Sequence, residues 1–265
     1  MAEEQHEMPD LRAPDNPHSH IKKVIGIISG KGGVGKSLTT SILAAKAARE
    51  GKKVAIIDAD ITGPSIPTIF GLEGMVTGTE EAIVPMETRS GIKVISLNLL
   101  TDDPAAPVIW RGPVISGLIK QFWTNVEWGE IDELYVDMPP GTGDVPLTVF
   151  QSLPVDAVIC VATPQDLVSL IVEKAVRMAS MMNIPLVGLV MNMAYMVCPH
   201  CNEKVYPFGE GKVEALANHF GIPFVGELPI DPSLAEACDL GKIEDLPLNY
   251  LDEIYDCIDR IKAKK

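Results

Sequence analysis

A glycine-rich loop with two lysines carries the first chemical signal in the sequence. Residues 30–37 read Gly-Lys-Gly-Gly-Val-Gly-Lys-Ser and stand between an apolar run, 24–29, and good helix formers over 36–50. In such a loop glycines let backbone N–H groups surround phosphate oxygens, and the helix N-terminus adds partial positive charge. We predict a phosphate-binding loop in which Lys36 reaches the β- and γ-phosphates and Ser37 ligates Mg²⁺. The loop residues expected to bind the nucleotide are Gly30, Lys31, Gly32, Gly33, Val34, Gly35, Lys36 and Ser37.

Three carboxylates follow apolar runs at positions that suit a phosphate site. Asp58 and Asp60 stand at the end of run 54–58, and Asp137 ends run 134–137. Ligands of open α/β sheets bind at the carboxyl ends of the strands, where these side chains are predicted to meet. Asp137 has the strand-end position of a Mg²⁺-facing carboxylate, and Gly141 lacks a Cβ, so its N–H can approach a γ-phosphate. The alternative for Asp58 is that it only caps the segment after it.

A closely spaced cysteine pair is the second chemical signal. Cys198 and Cys201 enclose Pro199-His200, a spacing that lets two thiolates face one metal centre. Zinc or a 4Fe-4S cluster needs four thiolates, and two chains related by a two-fold axis would supply them. Three alternatives stay open at this point: zinc at the same sulfurs, a thiol–disulfide motif, and a structural pair without metal. Cys238 is a further cysteine whose role the sequence does not define.

The elements that must position these residues alternate along the chain. Short β-branched runs predict strands at 24–29, 54–58, 92–97, 134–137, 157–162, 186–191 and 224–228. Helices are expected at 36–50, 114–123, 167–182, 210–220 and 248–262. Runs that are apolar on both faces, separated by helices, predict an α/β fold with a doubly wound, mostly parallel sheet and helices on both faces.

The domain organisation follows from the same pattern. We expect one domain over 22–265, with a long irregular loop at 193–211 that carries the cysteine pair. Residues 1–21 are acidic and proline-rich, and we expect a disordered tail there. Its histidines, His6, His18 and His20, are expected to be solvated.

Charge and cysteine usage narrow the function classes. The net charge of −14 disfavours nucleic acid and anionic membranes as partners, since both require an excess of Lys and Arg. No apolar run is long enough for a membrane span, and the N-terminus has no signal-peptide pattern. Five cysteines without such a signal indicate a reducing compartment, and we expect a cytoplasmic protein.

Taken together, the motifs resemble a known family. The loop 30–37, with its second lysine at Lys31, resembles the deviant Walker A motif of the SIMIBI class, to which MinD, ParA and the nitrogenase iron protein belong. The segments 58–67 (Asp-Ala-Asp-Ile-Thr-Gly-Pro-Ser-Ile-Pro), 137–144 (Asp-Met-Pro-Pro-Gly-Thr-Gly-Asp) and 198–201 (Cys-Pro-His-Cys) are similar to the Mrp/ApbC family of ATP-dependent iron–sulfur cluster carriers. The resemblance covers about 22–262 and departs at Leu38, where the family usually has threonine.

The resemblance implies roles for the matched residues. Lys31 would reach phosphates across a dimer, Asp60 would orient or activate the attacking water, and Asp58 and Asp137 would hold Mg²⁺ through water. Leu38 would contact the nucleotide through its backbone. Asn192, Pro229 and Asp231 would form the adenine pocket. The resemblance thus implies a slow ATP hydrolase.

The resemblance also implies a cargo and partners. ATP, Mg²⁺ and a 4Fe-4S cluster bridging a homodimer at Cys198 and Cys201 would be the bound groups, with zinc possible at the same cysteines. The partners would be apo iron–sulfur proteins and a scaffold or cluster donor. The alternative function is a positioning or partition ATPase of the MinD/ParA kind, which acts on membrane or DNA.

Overall fold

A mostly parallel β-sheet with helices on both faces forms the centre of the protein, which confirms the predicted fold class. The structure is a computed structural model that describes residues 12–60, 63, 65–79, 82–100, 112–141, 144–164, 168–210 and 212–261. In these ranges the strands are β1 (Ser19–Ile21), β2 (Val24–Ser29), β3 (Val54–Asp58), β4 (Thr77–Gly78), β5 (Ile83–Val84), β6 (Met86–Glu87), β7 (Lys93–Ser96), β8 (Gly129–Ile131), β9 (Glu133–Asp137), β10 (Ala157–Ala162), β11 (Leu186–Val197), β12 (Lys204–Val205) and β13 (Phe224–Pro229). The helices are α1 (Lys36–Arg49), α2 (Ile66–Ile69), α3 (Gly112–Thr124), α4 (Asp144–Ser152), α5 (Val168–Met181), α6 (Lys212–Phe220), α7 (Pro232–Asp239) and α8 (Asp252–Arg260).

The strand order brings the predicted site residues to one edge of the sheet. The main sheet runs β13–β11–β10–β2–β9–β3–β7 in parallel, and β6 adds an antiparallel edge strand. Since β9 lies between β2 and β3, Asp58 and Asp137 are direct neighbours in register. Because these three strands are parallel, both carboxylates lie at the same edge of the sheet as the end of β2, where the glycine-rich loop begins.

Alternation along each strand divides the core between the two faces of the sheet. In β2, Val24 and Ile28 pack among residues of α3, α4, α5 and α6, whereas Ile25 and Ile27 pack against α1, α2 and α8. Successive side chains of a strand point to opposite faces, so a strand covered on both sides is apolar throughout. This is why the predicted strands in the sequence appear as continuous β-branched runs.

The segment 193–211 differs from the irregular loop that the sequence predicted. Strand β11 continues to Val197 and pairs in antiparallel fashion with β12, Met196 opposite Val205 and Val197 opposite Lys204. The pattern was obscured because these strand ends are mostly exposed and do not show the continuous apolar run of the core strands. We call the segment Tyr195–Val205, with the cysteine pair at its turn, the cysteine hairpin.

The N-terminal segment also differs from the prediction of a disordered tail over 1–21. Residues 12–21 pack on the body of the protein: β1 pairs with β8, and the Asn16 side chain donates a 3.0 Å hydrogen bond to the Val126 carbonyl. Ala13 and Asn16 are buried. A single buried amide and a three-residue strand leave no periodic signal in the sequence, while residues 1–11 lie outside the described ranges.

The helices follow the predicted pattern with three additions. Helices α2, α4 and α7 are additional to the five expected ranges, and proline-containing sequence lies at the start of each. The last helix begins at Asp252 rather than at Leu248, since Pro247 precedes an extended turn. Among the helices of the described ranges, none has both the length and the apolar character needed to cross a bilayer.

Candidate nucleotide and cysteine sites

The glycine-rich loop joins β2 to α1 as the sequence predicts. Gly33 and Gly35 have φ angles of 78° and 88°, in the left-handed region that favours glycine. Gly35 occupies the N-cap position of α1, so the free N–H groups of the first helical turn face the same cleft as the loop. Such an arrangement of backbone donors suits an anion.

Lys36 is the buried cation of this site. It is 6% exposed, and its Nζ lies 2.8 Å from Asp137 Oδ2 and 3.5 Å from Asp60 Oδ2. Within the described residues Nζ makes no hydrogen bond of normal geometry, although it carries three protons. A buried ammonium with donors to spare beside an open cleft fits the phosphates of a nucleotide.

Asp137 collects hydroxyl groups as well as the lysine. Its Oδ2 accepts a 2.6 Å hydrogen bond from Ser37 Oγ, and its Oδ1 accepts one of 2.8 Å from Thr40 Oγ1. The carboxylate is fully buried at the end of β9. Hydroxyl and carboxylate oxygens are the ligands Mg²⁺ prefers, so Ser37 and Asp137 fit the ion. Thr40 was missed by the sequence analysis, although it lies one turn after Lys36 on the same helix.

Asp58 is held in a polar cage at the end of β3. Its carboxylate accepts hydrogen bonds from Ser96 Oγ at 3.1 Å and from the Asp60 N–H at 3.2 Å. Burial, reinforced by the neighbouring Asp137 carboxylate and opposed by Lys36, raises the pKa of Asp58 to about 8. The protonated acid is therefore favoured below that pH beside the Asp137 carboxylate, whereas a bound cation would favour the ionised form. No sequence motif pointed to Ser96.

A cleft of about 370 Å³ lies between these residues, lined among others by Gly33, Leu38 and Pro140. Gly141, predicted to offer its N–H to a γ-phosphate, donates that N–H to the Ser29 carbonyl at 2.8 Å instead. Gly141 has φ 96°, and this bond ties its N–H to the end of β2. Lys31, in the glycine-rich loop, is exposed.

The residues predicted to form the adenine pocket have their polar groups engaged within the protein. Asn192 is 4% exposed, and its Nδ2 donates a 2.9 Å hydrogen bond to the Val34 carbonyl of the glycine-rich loop. Asp231 caps α7 by accepting a 2.9 Å hydrogen bond from the Ser233 N–H. Pro229 ends β13 beside the hairpin strand, where it lies opposite Tyr195. The pocket role of these residues stays a prediction.

The cysteine pair lies at the turn of the cysteine hairpin. The Cys198 N–H donates to the Glu203 carbonyl at 2.9 Å, and the Asn202 N–H donates to the Cys198 carbonyl at 2.9 Å. Cys201 is exposed and Cys198 is partly exposed. Hydrogen bonds from the backbone N–H groups of Cys201 and His200 lower the pKa of the Cys198 thiol, which favours the thiolate that binds metals.

The remaining cysteines have a different character. Cys160 and Cys257 are buried, and burial raises the pKa of the Cys160 thiol to about 12. Burial also raises the pKa of Cys238, with a further contribution from Asp239. Across the described ranges, no group of three or more His, Cys, Asp or Glu side chains is arranged to hold a metal ion. Among the described cysteines Cys201 is exposed, and Cys198 and Cys238 are partly exposed. The hairpin pair alone forms half of a tetrahedral ligand set.

A doubly wound sheet with a glycine-rich loop, a buried lysine and strand-end carboxylates at one edge defines the class of P-loop nucleoside-triphosphatases. The family is set by a match over residues 20–260 to the ParA model, described as NUBPL iron-transfer P-loop NTPase. The chain belongs to this family. The match confirms the resemblance to P-loop proteins of iron–sulfur metabolism that the sequence motifs indicated.

Curated relatives and a solved structure agree with this assignment. The chain is 48% identical to an iron–sulfur cluster carrier protein of Clostridium perfringens, over 86% of this chain and 83% of the relative. It is also 48% identical to an iron–sulfur cluster carrier protein of Methanocaldococcus jannaschii, over 88% and 80% of the two chains. A nucleotide-binding protein from Archaeoglobus fulgidus, solved in complex with ADP and with cobalt, is 45% identical and superimposes with a TM-score of 0.79 over 89% of this chain and 92% of its own.

Proposed function

We propose that this protein is an ATP-binding and ATP-hydrolysing iron–sulfur cluster carrier. The observation that carries the proposal is the placement of Cys201, exposed, and Cys198, partly exposed, on a hairpin that extends a strand of the sheet bearing the glycine-rich loop. Relatives at 48% identity are named iron–sulfur cluster carriers, and a relative at 45% identity binds ADP. The nucleotide would act as the switch and the cluster would be the cargo.

The nucleotide would bind in the cleft above the glycine-rich loop. Backbone N–H groups of residues 32–37 would surround the phosphates, and the Lys36 ammonium would donate to them. Mg²⁺, when bound, supplies positive charge that stabilises the phosphate oxygens during cleavage. Ser37 would offer its hydroxyl to the ion, with Asp58 and Asp137 behind it through water.

Hydrolysis would depend on Asp60 and on Lys31 of a second chain. The Asp60 carboxylate lies 3.5 Å from the Lys36 ammonium and lines the cleft, which is a suitable position to orient a water molecule. Lys31 is exposed, so a facing chain could receive it. Asp60→Asn is expected to retain nucleotide binding and to lower ATP turnover by about 10²-fold or more, as removal of a general base does.

The cargo would be a 4Fe-4S cluster shared by Cys198 and Cys201 of two chains. One chain offers two hairpin thiols, one exposed and one partly exposed, whereas the cluster takes four. The lowered pKa of Cys198 favours the thiolate form. A cluster held at the turns of two hairpins would stay near the surface, where an acceptor protein with free thiolates can reach it.

A homodimer is supported by the apolar character of the cysteine hairpin. Met196, Val197 and Val205 are 40%, 50% and 46% exposed, and they flank the cysteine turn. Apolar side chains exposed together favour burial against a second surface. A two-fold contact between hairpins would bury these residues and bring both cysteine pairs together.

The alternative function, a membrane- or DNA-directed positioning ATPase, receives no support from the last helix. A membrane-binding helix needs a free apolar face. In α8 that face is already used, since Ile254, Tyr255 and Ile258 are at most 2% exposed and belong to the core.

Anaerobic reconstitution with ferrous iron and sulfide tests the proposal. The wild-type chain should gain the absorbance of a thiolate-bound cluster at roughly 400 nm, and it should bind about one cluster per two chains. It should also elute as a dimer. Replacement of both Cys198 and Cys201 by Ala should abolish the absorbance, and transfer to an apo-ferredoxin should be lost with it.

Cys238→Ala is the matched control, because this cysteine is half-buried on α7 and its pKa is raised rather than lowered. It should reconstitute like the wild type. The carrier proposal fails if the double cysteine variant keeps the wild-type absorbance, or if purified protein holds zinc and excludes iron.

A further inference from the structure

Strand β11 connects the nucleotide site to the cysteine pair without leaving the sheet. Its first half, Leu186–Met191, lies in the core between β10 and β13. Its second half ends at Val197, directly before Cys198. Only the segment 192–194 separates the core half of the strand from the cysteine hairpin, and Asn192 contacts the glycine-rich loop.

Asn192 is bound at both ends of its side-chain amide. Nδ2 donates to the Val34 carbonyl at 2.9 Å, and Oδ1 accepts the N–H of Met193 at 2.9 Å. The contact with the loop is tight, because a Cβ at Gly35 would lie 2.1 Å from Asn192 Nδ2. One buried side chain therefore touches the loop backbone and fixes the first peptide of the connecting segment.

Met193 has an unusual backbone conformation for its residue type. Its φ is 58°, in the left-handed region, although its side chain is 42% exposed and is not held by the core. An L-residue without packing restraints leaves this region readily. The hydrogen bond from the Met193 N–H to Asn192 Oδ1 restrains the peptide between Asn192 and Met193.

The connecting segment forms a bulge that sets the direction of the hairpin. Met191 lies opposite Glu227 and Tyr195 lies opposite Pro229, so β11 uses more residues than β13 over the same distance. Such a bulge re-aims the strand beyond it. After the bulge the chain is fixed again, since the Tyr195 carbonyl accepts the Ile230 N–H at 2.6 Å. The bulge at 192–194 and the bond at Tyr195 together set the course of the hairpin beyond Tyr195.

We propose that Asn192 is a positioning residue that couples occupancy of the phosphate loop to the orientation and rigidity of the cysteine hairpin. The inference deepens the proposed function, because it concerns how the nucleotide would act on the cargo site. The peptide bond between Val34 and Gly35 links the phosphate site to Asn192. In a trans peptide the C=O and the N–H point in opposite directions.

The direction of coupling follows from this peptide. Asn192 holds the Val34 carbonyl, which aims the Gly35 N–H away from Asn192 and towards the cleft. A phosphate that accepts the Gly35 N–H fixes the same peptide plane, so it strengthens the bond from Asn192 to Val34. Nucleotide binding therefore restrains Asn192, then Met193, and then the hairpin.

Backbone hydrogen exchange on the metal-free, reduced full-length chain tests the coupling. The amides of Cys198 and Asn202 are the reporters, since both donate hydrogen bonds inside the hairpin. Saturating Mg·ADP should slow their exchange by about threefold or more in the wild type, because restraint of the bulge lowers local opening. In Asn192→Ala the ratio with and without nucleotide should fall to about one.

Met193→Gly provides a second variant outside the cleft. Glycine populates both signs of φ, so the bulge no longer transmits the orientation of Asn192, and the exchange ratio should again fall towards one. This variant decides the question if Asn192→Ala does not fold. Asn183→Ala is the matched control: Asn183 also has a left-handed φ, 54°, and is exposed on the turn before β11. It should keep the wild-type ratio.

The proposal is overturned if Mg·ADP leaves hairpin exchange unchanged in the wild type, or if both relay variants keep the wild-type ratio. Neither result depends on iron or sulfide. Loss of cluster binding on reconstitution would refute the carrier function and leave the coupling intact, so the two failures are distinguishable.

Discussion

Two glycines of the phosphate loop allow a paired test of the contact between the loop and Asn192. Gly33 and Gly35 both have left-handed φ angles, 78° and 88°. A Cβ on Gly33 would meet nothing within 4 Å, whereas a Cβ on Gly35 would lie 2.1 Å from Asn192 Nδ2. Alanine at either position has the same unfavourable backbone conformation, but only Gly35→Ala displaces the side-chain amide of Asn192.

The magnitudes can be separated term by term. The left-handed conformation costs an alanine about 1–2 kcal/mol of unfolding free energy, and Gly33→Ala carries this cost alone. Gly35→Ala adds the displaced Asn192 amide, which leaves the buried Val34 carbonyl without its donor at a cost of about 1–3 kcal/mol. The reduced freedom of the unfolded chain offsets about 0.4–1 kcal/mol in both variants, so it cancels in their difference.

Urea denaturation of nucleotide-free protein measures these free energies, and a double-mutant cycle isolates the contact. Asn192→Ala removes the amide that Gly35→Ala displaces, so the double variant should be less destabilised than the sum of the two single variants by about 1–3 kcal/mol. The reasoning is refuted if Gly33→Ala and Gly35→Ala differ by less than about 0.5 kcal/mol, or if the cycle is additive.

Three further predictions concern stability, each measured by urea denaturation. Burial raises the pKa of Asp58 to about 8 against 3.8 for the free group, so folding takes up a proton between these pH values. The metal-free wild type should therefore lose stability as pH rises from 4 to 8, whereas Asp58→Asn should show a flatter dependence of stability on pH. Lys52→Met should cost about 3 kcal/mol, because it strips the 2.7 Å partner from Glu133, which is 1% exposed; Glu133→Gln should cost less. Gly241→Ala should lower the free energy of unfolding more than Gly221→Ala does, by about 1–3 kcal/mol. Both glycines have φ near 66°, but only a Cβ at 241 would approach backbone, 2.4 Å from the Cα of Gly71.

The sequence predicted where the glycine-rich loop and the strand-end carboxylates lie because these features are local. Glycines, Lys36 and Ser37 follow one another along the chain, and the strand ends at Asp58 and Asp137 close runs of buried β-branched residues. Parallel strands gather their carboxyl ends at one edge whatever their order, so the convergence of these side chains did not require the strand order to be known.

The contacts that the sequence did not predict depend on strand order or on single hydrogen bonds. Ser96 reaches Asp58 only because β7 lies beside β3. Thr40 reads as an ordinary helical residue until its hydroxyl is seen on Asp137. Asn16 is buried, with its side-chain amide on the Val126 carbonyl, in a segment with the composition of a tail. None of these produces periodicity or a composition shift that a sequence pattern could register.

The family resemblance assigns Asn192 to the adenine pocket, and the structure shows a further contact of the same side chain with the glycine-rich loop. A carboxamide has two donor hydrogens and an oxygen with two lone pairs. In this structure one hydrogen binds Val34 and one lone pair binds Met193, so one of each is left for a base. Aspartate has no donor for the Val34 carbonyl, and leucine has neither group. The loop-to-strand connection therefore requires an amide at this position on its own account, whether or not adenine is also recognised there.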